Sequence, residues 1–236
     1  MSVRRGRLRW WRHGVRVLLG LGGWLALSLY ALPVHRGELL YESAHLWVLL
    51  PAVGLIAVTP LARLRYEFDI FDPSRGLVCG LLLYLGAVPV GWALAVGEGV
   101  TAAFESRRDN EGPWGMLSRA SLAAGRAALW CAGTGWLWRL LLERERFYRF
   151  HPAVILGLVI AVGVSLAVDG LLWLLRERES VPEWNSRLTG DAWGGFAAVF
   201  APALFNFSNH AALGWMVLIV GAGLRLGKPR RGRAGG

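Results

Sequence analysis

Arg126 and Asp169 are the two charges set deepest within apolar stretches of this chain. A lone charge in hydrocarbon costs about 2.5–3.5 kcal/mol on insertion scales, so each needs an opposite partner or a wet cavity. Facing each other, a guanidinium and a carboxylate make an ion pair, or one step of a proton or substrate relay. A second polar patch, Asn206, Ser208, Asn209 and His210, interrupts the last apolar region. On one continuous helix Asn206 and His210 share a face at i, i+4. On a broken helix the same residues form a turn between two short arms, with Pro202 loosening the first. His210 could then serve as a ligand, haem or catalytic histidine, or the patch could be a plain polar turn.

The remaining candidates are fewer. His13, His35, His45 and His151 fall in the tail or at segment edges, and no H-x-x-x-H, H-E-x-x-H or carboxylate cluster occurs. An intramembrane metal site is therefore not expected, and His210 would be a metal ligand only to a haem. No G-x-S-x-G and no phosphate-binding G-x-x-x-x-G-K-[ST] is present. Ala120, Ala124, Ala128 and Ala132 place a small residue at every fourth position, which lets two helix backbones approach closely. This ladder predicts a helix–helix seam, within the chain or with a partner.

The elements that must position these groups are apolar segments of spanning length, for which about 20 residues suffice. They read as Val17–Val34, Leu46–Ala62, Leu77–Val96, Ser118–Leu142 and Ala153–Leu175, followed by the long region Ala192–Leu224. The expected fold is an all-α polytopic transmembrane bundle of about six spanning helices, the last region being one span or two short helices. A basic tail (1–16) precedes a single helical domain (17–226), and a basic Gly- and Pro-containing tail (227–236) follows. Of the 26 basic residues, 18 fall on the side holding both tails and the connections after segments two and four, against seven on the other. The positive-inside rule then puts both termini in the cytoplasm of a bacterial inner-membrane protein. In that alternation segment four runs inward and segment five outward. Arg126 lies 8 residues from the outer start of its helix and Asp169 lies 6 from its outer end. At about 1.5 Å per residue their depths agree within roughly 3 Å, so an ion pair is expected.

Composition narrows the classes further. The net charge of +10 comes almost wholly from arginines that flank apolar segments, where topology and anionic headgroups account for them. Nucleic acid is not an expected partner. Cys79 and Cys131 lie inside apolar segments with no C-x-x-C spacing, and read as buried, inert thiols. Trp138 is among the tryptophans that fall near predicted interfaces, whereas Trp24, Trp130 and Trp215 fall mid-segment and should face neighbouring helices.

One stretch carries a family resemblance. Val58-Thr59-Pro60-Leu61-Ala62-Arg63, with Arg75 opening the next segment, resembles the second and third helices of the ferric-reductase-like transmembrane domain. The match is nearest to the haem-binding membrane subunit of the bacterial methionine sulfoxide reductase system. His151-Pro152 with Gly157 and Ser165-Leu166-Ala167 is similar to a later helix of that family, and Asn185 to Trp193 to the loop before its haem-bearing helix. The resemblance implies haem b and electron transfer. Its expected haem histidine falls at Val88, and its paired later histidines reduce to His210. Without a catalytic constellation, the residues point to a non-catalytic accessory or scaffold subunit whose partners are the bilayer and other membrane subunits. The alternatives are a haem-b electron-transfer subunit and a small transporter or permease.

Overall fold

The computed structural model describes residues 2–34, 43–67, 73–144, 147, 152–174, 196 and 198–229. Their helices are α1 (Ser2–Val34), α2 (Ser43–Val58), α3 (Pro73–Leu85), α4 (Ala87–Arg108), α5 (Pro113–Leu142), α6 (Pro152–Leu174), α7 (Ala201–Phe207) and α8 (Asn209–Leu226). A 3-10 turn, Thr59–Leu64, follows α2, where Pro60 disfavours continued α-helix for the residue before it. Two-residue strands β1 (Tyr66–Glu67) and β2 (Lys228–Pro229) pair antiparallel and tie the end of α8 to the segment after α2. The described fold is otherwise helical.

Contacts along α5 fix the direction of its neighbours. His13 bonds Ser118, Gly20 meets Ser121, Gly23 meets Gly125, and Tyr30 meets Gly135. Both numbers rise together, so α1 and α5 are parallel. Gly91 of α4 faces Cys131, while Gly99 faces Ala124 and Ala120, so α4 is antiparallel to α5. In α6, Asp169 meets Arg126, Ala161 accepts from Trp130 and Gly157 accepts from Trp138, which is again antiparallel. Arg75 bonds Ser165 of α6, and Leu83 lies against Gly157, so α3 runs with α5 and against α4. The end holding the amino-terminal residues is called the tail end below, and the opposite one the far end.

These directions correct two sequence expectations. Leu77–Val96 is not one span. The chain breaks at Gly86 and doubles back, with α3 climbing from Arg75 and α4 descending to Arg108. Gly86 adopts φ 84° and ψ 175°, a conformation open in practice to glycine alone. The break frees the Leu83 carbonyl, which accepts instead from the Phe147 amide at 2.6 Å. The Phe147 ring then packs edge-on to Trp138, with centroids 5.2 Å apart. The extra reversal makes segments one and four parallel rather than opposed, and moves the turn at 109–112 to the tail end. Within the polar stretch 97–117, α4 continues to Arg108, and Pro113 opens α5 in the first-turn position where its missing amide costs nothing. Arg119 clasps Asp109 and Glu111 across that turn at 3.0 and 2.9 Å.

The last apolar region breaks as well. A methyl placed on Gly80 would lie 2.7 Å from Trp215 Cζ2 and 3.0 Å from Ala201 Cβ. On one continuous helix those two residues would be about 21 Å apart. The chain therefore doubles back between them, and Ser208 caps α8 by accepting the Ala211 amide at 3.0 Å.

Three helical stretches, Trp11–Leu32, Ala87–Arg108 and Pro152–Leu174, are long and apolar enough to cross a membrane. Their outer faces carry bare large side chains such as Leu18, Leu25, Val159 and Leu174, each at least 60% exposed. Inside, Trp130 and Trp215 are buried and Trp24 rests on Trp92, as expected of mid-segment indoles. Trp138 is not an interface anchor. It is fully buried, and its Nε1 donates to Gly157 O at 2.9 Å. Cys79 and Cys131 are buried.

Candidate functional site

Five charged side chains from five elements gather in the tail-end half of the bundle. The 3-10 turn brings Arg63, whose Nη1 donates to both Glu98 carboxylate oxygens at 2.8 and 3.0 Å, while its Nη2 donates to Ser74 Oγ at 2.7 Å. The first turn of α3 brings Arg75, which donates to Ser165 Oγ at 3.1 Å and stacks its guanidinium 4.8 Å from the Trp130 ring centroid. Arg126 on α5 places Nε 2.8 Å from Asp169 Oδ1 on α6, with the aspartate side chain wholly buried. The reversal at Gly86 delivers Arg75 and Glu98 to one level, since Arg75 lies 11 residues before it and Glu98 lies 12 after it.

Between these groups lies a small recess, part of it open to the outside. Arg75, Glu98, Arg126, Trp130, Ser165 and Asp169 line it together with small apolar residues. Opposed guanidinium and carboxylate groups around a small void can hold ordered water or a charged solute. They can also simply cancel one another's charge within an apolar interior.

The structure brings Arg126 and Asp169 together, the pairing expected from their matched depth. It keeps the Asn206–His210 patch apart from them. Asn206 lies in the last turn of α7, Ser208 in the break, and Asn209 and His210 at the start of α8. That break points to the far end, because α8 leads from it to the β1–β2 pairing at the tail end. The His210 side chain is exposed, and His13 lies at the tail end on Ser118. The two are not a haem pair. The side chains of His35, His45 and His151 lie outside the described residues, as do the segments 185–193 and 148–151. Among the described residues no group of three His, Cys, Asp or Glu is placed to hold a metal.

The alanine ladder lies within the chain. Ala124, Ala128 and Ala132 are buried, and Ala120 and Ala124 receive Gly99 of α4. A second seam on the other face of α5, formed by Ser121 and Gly125 against Gly20 and Gly23 of α1, escaped the sequence reading. Its small residues at three- and four-residue spacing were the available signal. Arg63, Arg75, Glu98 and Ser165 were also missed as site residues. Ser165 stands four residues before Asp169 on one helix face, and Glu98 is an acid inside an apolar run. No protein-family model, no curated protein and no solved structure matches the chain.

Proposed function

We propose that this chain is a multi-pass protein of a bacterial cytoplasmic membrane, acting as a non-catalytic accessory or scaffold subunit. The observation that carries the reading is the division of its surfaces: deep charges face one another inside, and large apolar side chains face out. Patches of this extent on a folded chain mark lipid or protein contact. Six long traverses, made by α1, α2 with its 3-10 turn, α4, α5, α6 and α8, form the spanning bundle in this reading. The arms α3 and α7 are shorter, about 20 Å and 10 Å at 1.5 Å per residue.

Sidedness follows from the arginines. The tail end collects the amino-terminal arginines, Arg63, Arg65, Arg107, Arg108, Arg119 and Arg225, while Arg139 and Arg144 belong to the far end. The excess on the tail end makes it cytoplasmic by the positive-inside rule. A scaffold subunit should migrate in native electrophoresis of gently solubilised membranes well above its own 25.9 kDa. Migration only at the size of the lone chain in its detergent belt would contradict this role.

The haem-b reading is favoured by the resemblance to ferric-reductase-like domains alone. It requires a Soret band that shifts when the oxidised protein, produced with ample haem, is reduced with dithionite. A featureless visible spectrum is the result expected of the scaffold.

A further inference from the structure

The outward face of α1 is periodic as well as apolar. Trp11, Leu18, Leu25 and Leu32 fall seven residues apart, and each is at least 60% exposed. Gly14 and Leu21 follow the first two of them by three residues and are also exposed, and Ser28 is half-buried at the next such position. This alternation of three and four residues is the spacing with which one helix seats along another. A methyl on Gly14 would have nothing within 4 Å, which leaves room there for the backbone of a neighbour. The seam with α5 occupies the opposite side of α1, through His13, Gly20 and Gly23.

Carried along the helix toward Ser2, the same register reaches Arg7 and Arg4. The helix holds six arginines and no acid, so it supplies none of its own counter-charge. Headgroups account for the arginines nearest the apolar run, which begins after Arg16. Arg4 stands twelve residues before Arg16, about 18 Å along the helix at about 1.5 Å per residue. That is about two Debye lengths at physiological salt, so charge on the bilayer is largely screened at Arg4. A second copy of this chain in the same orientation would set Arg4 and Arg7 against their own counterparts. The complement of this face is apolar along its length and acidic at its tail end.

We infer that the outward face of α1 docks a transmembrane helix of a partner subunit, with apolar side chains along Trp11 to Leu32 and carboxylates opposite Arg4 and Arg7. The inference rests on the accessory-subunit reading and names the chemistry of the partner it requires.

The probe is a synthetic single-span peptide with leucines at heptad spacing and two glutamates continuing that register beyond one end. Full-length protein carrying a fluorescent donor is reconstituted in phosphatidylcholine vesicles, and energy transfer to the acceptor-labelled peptide is titrated. Transfer should saturate, and apparent affinity should fall about tenfold or more when lysines replace the glutamates. The double variant Arg4→Glu with Arg7→Glu should weaken it to a similar extent. Arg5→Glu with Arg9→Glu makes the same change of charge off the seam register, and should bind the peptide as the native protein does. The inference is overturned if transfer never exceeds that of random mixing, or if the glutamate and lysine peptides transfer alike. It is equally overturned if the two double variants weaken alike, which would assign the effect to overall charge. In gently solubilised native membranes, Arg4→Glu with Arg7→Glu should shift the protein from its high-mass band to the size of the lone chain. A high-mass band that survives this substitution refutes the seam alone, whereas the absence of such a band for the native protein refutes the accessory role itself.

Discussion

Asp169→Ala, made alone, is expected to destabilise the folded protein by about 3–5 kcal/mol, because it strips the Arg126 guanidinium of a buried opposite charge. Arg126 Nε lies 2.8 Å from a carboxylate that has no exposed surface, and the arginine side chain itself is only one-fifth exposed. Asp169→Asn should cost less, since the amide keeps its shape and a hydrogen-bonding oxygen. The double variant Arg126→Leu with Asp169→Leu is expected to recover most of the loss. Replacing both members of a buried pair by apolar groups of similar volume is often neutral or stabilising. Equilibrium unfolding in mixed micelles reads all three. A double variant no more stable than Asp169→Ala would mean that the pair does more than cancel its own charges.

The second large effect belongs to the seam between α1 and α5. A methyl on Gly23 would land on the Gly125 carbonyl, and one on Gly125 would land on the Gly20 backbone. No side-chain rotation relieves either collision, so the two helices must part. Overpacking of a well-filled interior typically costs about 1–3 kcal/mol, and Gly125→Val should reach or pass the upper figure because backbone is what must move. Gly22→Ala is the matched control. It lies on α1 beside Gly23, with nothing within 4 Å of the added carbon. Exchange of glycine for alanine at an open helical position should raise stability by up to about 1 kcal/mol. Equal losses in Gly125→Val and Gly22→Ala would contradict the close approach of α1 and α5.

Particular residues show which parts of this arrangement are legible in the sequence. The Arg126–Asp169 contact is readable because helical rise converts sequence position into depth, and two charges at one depth in apolar surroundings have few other partners. Pairing α5 with α6 in opposite directions needs only the short connection between them. The alanine ladder and the polar interruption at Asn206–His210 are local patterns, and both survive in the structure as a seam and a break.

The reversal at Gly86 is harder to see. Leu77–Val96 is apolar on all sides, and such a stretch gives no periodic sign of where a helix ends. Its marks are Gly86 and, three residues on, Pro89, neither unusual in a membrane helix. Missing that turn inverts α5 and α6 relative to α1, while the second reversal, between α7 and α8, returns α8 to the direction that simple alternation gives it. It also places Arg63 and Glu98 on opposite sides, whereas they meet at 2.8 Å. The charged recess could not be foreseen for the same reason, since its members come from segments that only the extra reversal brings level. The charge count still assigns the termini to the arginine-rich end, because the tails dominate it in either arrangement.

The direction of α5 relative to α1 is the centre of this account, and labelling of single cysteines tests it most directly. In a Cys79→Ala, Cys131→Ala background, Arg12→Cys, Asn110→Cys and Arg144→Cys each present an exposed thiol. A membrane-impermeant maleimide is applied to intact cells and then to permeabilised ones. Arg144→Cys should label in intact cells, whereas Arg12→Cys and Asn110→Cys should label only after permeabilisation. Labelling of Asn110→Cys in intact cells, with Arg144→Cys protected, would restore the simple alternation and contradict the parallel packing of α1 and α5.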